Sequence, residues 1–335
     1  MKSIPLFPEQ ASNFAQEVDL LYFVLLALTV VFSLGVFIAI LIFVAKYRAG
    51  SKADRSNPPY HNMKLELTWS VIPAIMSFGV FYWAADLFVD MQKPIDPKSA
   101  LNIYVIGKQW MWHLQHPTGQ RENNELHIPK GRAIQLTMIS QDVLHSFFVP
   151  EFRIKKDVLP GRYTTQWFIP TKTGKFHLLC TEFCGAEHSK MGGSVYVMEP
   201  EDYEEWLRQT RWGLPSATQP AQQPETMAQS GERLFAEKQC VSCHASDSRL
   251  NVPLAGVFGT QRRLDDGRTV VADEEYIRRS ILEPDSQRVA GFNPVMPSFK
   301  GRLDEQQILQ LIAYIRAMRT NPTRGEETAS ALSPK

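Results

Sequence analysis

Two short stretches hold most of the chain's capacity for chemistry. CTEFCGAEHSKM, residues 180–191, brings Cys180, Cys184, His188 and Met191 together, and CVSCH, residues 240–244, holds the other two of the four cysteines. C-x-x-C-H is the spacing of covalent haem attachment: Cys240 and Cys243 form thioethers to the porphyrin vinyl groups, and the adjacent His244 reaches the iron. A C-x-x-C redox pair would need a thioredoxin-like βαβ context, and half a zinc site a second Cys/His pair; neither is nearby. A six-coordinate electron-transfer haem also wants a second axial ligand, and a methionine there raises the potential. Met296, set between Pro294 and Pro297 in NPVMPSF, is the expected ligand, ahead of Met227 and of Met318 in the last amphipathic segment. Its other reading is packing against the haem edge.

The stretch 180–191 lies between two strand-like runs, KFHLLC and SVYVM, and a further histidine, His145, opens another in DVLHSFFVP. Thiolate, thioether and imidazole together select copper over hard cations. A mononuclear blue-copper centre needs one cysteine; two thiolates with two imidazoles and a thioether suit a binuclear centre with bridging sulfurs. The alternative is a Cys180–Cys184 disulfide in an oxidising compartment. It would close a loop too short to stabilise much, and it would leave His145, His188 and Met191 without a role.

The elements that must position these residues fall into blocks. Leu20–Ala45 carries no charged side chain and exceeds the roughly 20 helical residues that cross a bilayer, and Leu67–Ala85 is a second uncharged run with Pro73 inside it. A signal peptide followed by a buried core helix is the bland alternative, but a secretory apolar region is shorter and follows basic residues. Lys46, Arg48, Lys52, Arg55 and Lys64 lie between or beside the two runs, so the positive-inside rule puts the connector in the cytoplasm and everything after about residue 90 outside. From Leu101 short alternating runs separated by Pro/Gly turns predict an antiparallel all-β domain, closed by a helix in EDYEEWLRQ. GLPSATQPAQQPETM, 213–227, reads as a linker. Beyond it Ile308, Leu311, Ile312 and Ile315 mark one apolar helix face. The predicted organisation is a membrane α-hairpin over 1–95 (spans about 20–45 and 67–85), an all-β domain over 96–212, the linker, a small all-α domain over 228–320 and a disordered tail over 321–335. Lys+Arg total 36 against 35 Asp+Glu, so no net charge draws the chain to nucleic acid.

With ELTWSVIP opening the second span, and with KQWMWHL, DVLHSF and CTEFCGAEHSKM in the β domain, the chain resembles subunit II of haem–copper cytochrome c oxidases. The appended CVSCH domain is similar to the cytochrome-c-fused, caa-type branch of that family. The resemblance implies a cupredoxin-like β domain and a cytochrome c domain. It implies a CuA centre held by His145, Cys180, Cys184, His188, Met191 and the carbonyl of Glu182, whose side chain would face a magnesium shared with a partner. Trp110 corresponds to the tryptophan that receives electrons beside the copper, with Trp112 near it; aromatic packing on a strand is the other reading. Glu66 matches a carboxylate at a proton-uptake entrance, and could equally be a favourable charge at a helix N-terminus.

The implied function is an oxidase subunit that passes electrons from haem c to CuA and on to subunit I, where dioxygen is reduced to water with proton pumping. Its donor would be a cytochrome or a cytochrome bc-type complex. The expected location is the prokaryotic plasma membrane, with both termini and both soluble domains on the periplasmic side. Two further readings are the CuA subunit of a nitric-oxide reductase and a stand-alone membrane-anchored carrier. A flexible fifteen-residue tether would hold the domains within roughly 20 Å, so a weak, readily dissociating contact between them would suffice.

Overall fold

The computed structural model describes residues 7–56, 60–93, 95, 99–209, 225–244, 254–291 and 296–318. Most of the expected linker, the expected tail and Pro294 lie outside the described residues. Contacts divide the chain into two units, Met1–Pro94 with Glu151–Arg153, and Ile95–Pro150 with Ile154–Lys335.

The first unit is built on two helices, α1 (Ala15–Tyr47) and α2 (Met63–Gln92). At 1.5 Å per residue each is about 45–50 Å long, more than the roughly 30 Å hydrocarbon core requires. Their apolar side chains stand outward, Phe78 at 72% exposure and Val31 at 65%. In water such a surface is unfavourable; in hydrocarbon it is matched. Pro73 lies inside α2, as predicted. Asn62 caps α2 by accepting from Leu65 N at 3.1 Å, and the Glu66 carboxylate accepts from Asn62 N at 3.1 Å and lies 2.9 Å from His61 Nδ1. Glu66 therefore closes the first turn of the helix. At the other end of the hairpin Trp83 Nε1 donates to Glu17 at 3.2 Å. Asp19, nearly inaccessible, accepts from the Arg153 guanidinium at 2.7 and 2.9 Å, and Arg153 also donates to the carbonyls of Pro8 and Glu9.

The second unit begins with ten strands: β1 (Leu101–Lys108), β2 (Met111–Gln115), β3 (Arg121–Asn123), β4 (Glu125–Pro129), β5 (Ile134–Ser140), β6 (His145–Val149), β7 (Ile154–Val158), β8 (Thr164–Phe168), β9 (Gly174–Cys180) and β10 (Gly192–Met198). They form two five-stranded sheets, ordered β3-β2-β1-β5-β8 and β4-β10-β9-β6-β7. Alternation sends Ile103, Val105, Leu136, Phe147, Leu178 and Val195 into the space between the sheets, where none is more than 1% exposed. This is the predicted β domain, with β1–β5 and β4–β10 paired in parallel within the otherwise antiparallel set. Helix α3 (Pro200–Gln209) closes it: Tyr203 Oη lies 3.0 Å from His116 Nδ1, and Trp206 stacks on His127 with centroids 4.7 Å apart.

The C-terminal part holds α4 (Met227–Glu237), α5 (Val241–His244), β11 (Gln261–Arg263), β12 (Thr269–Val271), α6 (Glu274–Leu282) and α7 (Glu305–Ala317). Capping boxes start both long helices, Thr226 with Gln229 and Asp304 with Gln307. Met227, placed by the sequence in the linker, is the first residue of α4 and 1% exposed. Helices α4 and α7 cross at Gly231, where a Cβ would stand 2.0 Å from the Gln310 carbonyl oxygen, so the crossing requires glycine. The β11–β12 hairpin is an addition to the expected all-helical domain.

Helix α7 is buried beyond its predicted stripe: Leu309 and Gln310 are 1% and 6% exposed. The reason is a second neighbour, since α7 packs on α4 and also on β1. Tyr104 and Ile139, from the outer face of the first sheet, and Tyr163 share one apolar core with Ile308, Ile312 and Ile315. Around it Arg278 donates to the Gly161 carbonyl at 3.0 Å and pairs with Glu305, while Tyr163 N donates to Glu275 at 3.1 Å. The two domains meet in a packed contact.

Candidate metal and haem sites

Three chain segments converge at one edge of the β domain. Strand β6 begins at His145 and pairs with β9, setting Phe147 opposite Cys180. Strand β9 ends at Cys180, and the chain returns through a short 3₁₀ turn, His188–Lys190, to β10. The Cys180 and Cys184 thiols are free, buried and 3.9 Å apart. Cys184 Sγ lies 3.4 Å from His188 Nδ1 and 3.7 Å from Met191 Sδ, and Cys180 Sγ lies 3.3 Å from the Glu182 carbonyl. One ligand atom each from His145, Cys180 and Cys184 fall within 4.8 Å of one another. All six expected copper donors thus meet in one cluster.

The cluster passes a chemical test of fit. His145 is fully buried and its Nδ1 has no hydrogen-bond partner, a cost that a bound metal would remove. Burial works against charge on the Cys180 thiol, but the neighbouring His145 side chain and hydrogen bonds from the Ser146 and Glu182 backbone outweigh it and hold the group below the usual thiol range. Burial and the neighbouring Cys180 charge push Cys184 up. Two soft sulfurs, a thioether and two imidazoles suit copper. The Glu182 side chain is half-buried.

The two tryptophans separate. Trp112 is completely buried and meets His145 and Phe147 edge-on, with centroids 5.9 and 5.2 Å apart. Trp110, half-buried, occupies the turn between β1 and β2, and its ring lies where a Cβ on Gly185 would come within 3.3 Å. Trp110 is therefore packed on the 180–191 loop itself. Sequence reasoning missed two further residues at the site. Asp142 Oδ1 lies 2.8 Å from His145 Nε2, and Gln109 Nε2 donates to the Cys184 carbonyl at 2.7 Å. Asp142, three residues before His145, was the available signal.

In the C-terminal domain Cys240 precedes α5, and Cys243 and His244 lie on it: His244 N donates to the Cys240 carbonyl at 3.1 Å. One helical turn therefore presents both thiols and the imidazole, and neither thiol is in a disulfide. Burial, joined by the Cys243 thiol, pushes Cys240 up, the opposite of a redox nucleophile. His244 packs on Phe235, centroids 6.2 Å apart. Cys240 and Met296 are both half-buried against the same apolar core. Met318, the α7 C-cap, packs there too. This donor set fits a covalently held porphyrin.

Three family models match: "Cytochrome C oxidase subunit II, transmembrane domain" over residues 2–83, "Cytochrome C oxidase subunit II, periplasmic domain" over 118–198, and "Cytochrome c" over 228–319. Cytochrome c oxidase subunit 2 of Thermostichus vulcanus is 32% identical over 259 residues, 62% of this chain and 79% of that one. The namesake from Alkalihalophilus pseudofirmus is 29% identical over 300 residues, covering 86% of this chain and 83% of its own. Alternative cytochrome c oxidase subunit 2 of Bradyrhizobium diazoefficiens is 33% identical over 217 residues, 52% of this chain and 75% of that one. The periplasmic-domain family implies copper in the β domain and the cytochrome c family implies haem in the C-terminal one. With the two-helix hairpin, the β sandwich and the helical C-terminal domain all accounted for, the chain belongs to the cytochrome c oxidase subunit 2 family and carries a fused cytochrome c domain.

Proposed function

We propose that this chain is the electron-accepting subunit of a membrane-bound haem–copper oxidase, taking electrons at its C-terminal domain, passing them to its β domain and delivering them to a subunit I that reduces dioxygen. The observation that carries this reading is the convergence of His145, Cys180, the Glu182 carbonyl, Cys184, His188 and Met191 in one cluster. Bound there and at CVSCH, a copper pair and a haem supply reversible one-electron exchange. Cys180 and Cys184 would hold the copper pair through their sulfurs, and His145 and His188 through imidazole nitrogens. Cys240 and Cys243 would tether the porphyrin, and His244 and Met296 would hold its iron.

Packing round the donors limits rearrangement, since Trp112 fixes the His145 ring from one side. Trp110, at the rim of the loop, is the side chain through which the β domain would accept electrons. The Glu182 carboxylate, on the same loop, would face a magnesium at the boundary with subunit I. Glu66 supports a proton-uptake role only through its place at the start of the second span; the contact it makes is with its own helix terminus. The basic connector supports periplasmic placement of both soluble domains. The donor would be a cytochrome or a bc-type complex. All three relatives described carry oxidase names, so the nitric-oxide reductase and stand-alone carrier readings gain no support.

The test is Cys184→Ser in the full-length chain. Loss of the near-infrared copper band with the haem c spectrum intact is the expected result. A band of unchanged position and intensity would refute the ligand set.

A further inference from the structure

The proposed copper donors come from two separate parts of the chain. Five lie on the single loop 180–191, whereas His145 opens β6, which pairs with β9 at Phe147–Cys180 and Phe148–Leu179. That ladder sets the backbones in register; the His145 ring and the Cys184 end of the loop need contacts of their own. The Asp142 carboxylate stands between them. Its Oδ1 lies 2.8 Å from His145 Nε2 and accepts from Val143 N at 2.7 Å, while Oδ2 accepts from Gln109 N at 2.7 Å. A carboxylate only accepts, so it fixes the His145 proton on Nε2 and leaves the orphaned Nδ1 as a lone-pair donor.

Gln109 carries the connection onward. Its backbone is held by Asp142 and its side-chain amide donates to the Cys184 carbonyl at 2.7 Å. Gly185 makes the close approach possible: at φ +118° a Cβ would stand 2.9 Å from Gln109 Nε2 and 3.3 Å from the Trp110 ring. The chain of contacts is therefore His145, Asp142, Gln109, Cys184, with Trp110 on the same turn.

We infer that Asp142 and Gln109 are positioning residues that lock His145, the 180–191 loop and the Trp110 turn into one arrangement before metal enters. This rests on His145 and Cys184 being copper ligands. Hydrogen-bond partners of metal-bound histidines are worth about 10- to 100-fold in metal affinity.

The test uses the copper-loaded full-length chain, with copper loss to a chelator and the position of the near-infrared band as readouts. Asp142→Asn keeps the shape but turns one acceptor into a donor, facing either His145 Nε2 or the Gln109 amide. It should speed copper loss about 10- to 100-fold and shift the band. Gln109→Ala, at an exposed position, should act in the same direction and more weakly. The double variant should fall short of the product of the two fold-changes, because the residues act as one network. In the metal-free chain, exchange of the Gln109 amide proton should be faster in Asp142→Asn than in wild type. Unchanged copper retention in Asp142→Asn, or fully multiplicative effects, would overturn the inference while leaving the copper reading intact. A wild-type chain that takes up no copper would refute both.

Discussion

At residue 185 only glycine fits. The backbone there is left-handed, φ +118°, and the space a Cβ would need is taken by the Gln109 side chain and the Trp110 ring. Gly185→Ala should cost about 1–3 kcal/mol in backbone strain and displace the Gln109–Trp110 turn from the metal loop. The expected outcome is a lower melting temperature with weakened copper retention; an alanine variant as stable as wild type would show that the loop has slack. Five of the proposed donors, Cys180, Cys184, His188, Met191 and the more distant His145, were legible in the sequence from residue type and spacing; the Glu182 carbonyl came only with the family resemblance. Asp142 and Gln109 were not. Their pairing spans 33 positions and depends on which way a carboxylate and an amide turn, which no periodicity records.

Among elements, α3 is held by charge as well as by packing. Glu122 is buried with one oxygen 2.7 Å from His116 Nε2 and the other on His127 Nδ1, and His116 in turn meets Tyr203 on α3. Burial alone would raise this carboxyl, but hydrogen bonds from the two histidines outweigh it and hold it below its ordinary value of 4.5. A depressed carboxyl contributes stability that is present above the ordinary value and lost as pH falls through the lower, folded one. Acid unfolding of the β domain, followed by near-ultraviolet dichroism, should therefore steepen below about pH 4.5. Glu122→Gln should flatten that dependence, and identical acid profiles would remove Glu122 from the account. The strands themselves were legible from alternation, and α7 from its apolar stripe. The β11–β12 hairpin was not, because three-residue strands are too short for alternation to register. Leu309 and Gln310 lie outside that stripe and are buried because the stripe shows one partner for α7 and the fold gives it two.

For the molecule as a whole, the sequence disclosed a membrane hairpin through two uncharged runs of spanning length, and a β domain and a helical domain each through its own hydrophobic period. It could not disclose how the last two meet. Tyr104, Ile139 and Tyr163 read as ordinary strand and turn residues, yet they share a core with α7, and Arg278 and Glu275 bond to the backbone at Gly161 and Tyr163. A soluble cytochrome finds its partner by collision; here the cytochrome c domain is packed on the β domain within a single chain. The claim on which this depends is that both prosthetic groups belong to the same polypeptide. Metal and haem analysis of the intact, freshly isolated chain tests it most directly. The account expects a pair of coppers for each haem, with the haem remaining on the chain after denaturation and acid–acetone extraction. Copper-free protein with Cys180 and Cys184 joined as a disulfide, or haem that extracts freely, would contradict it.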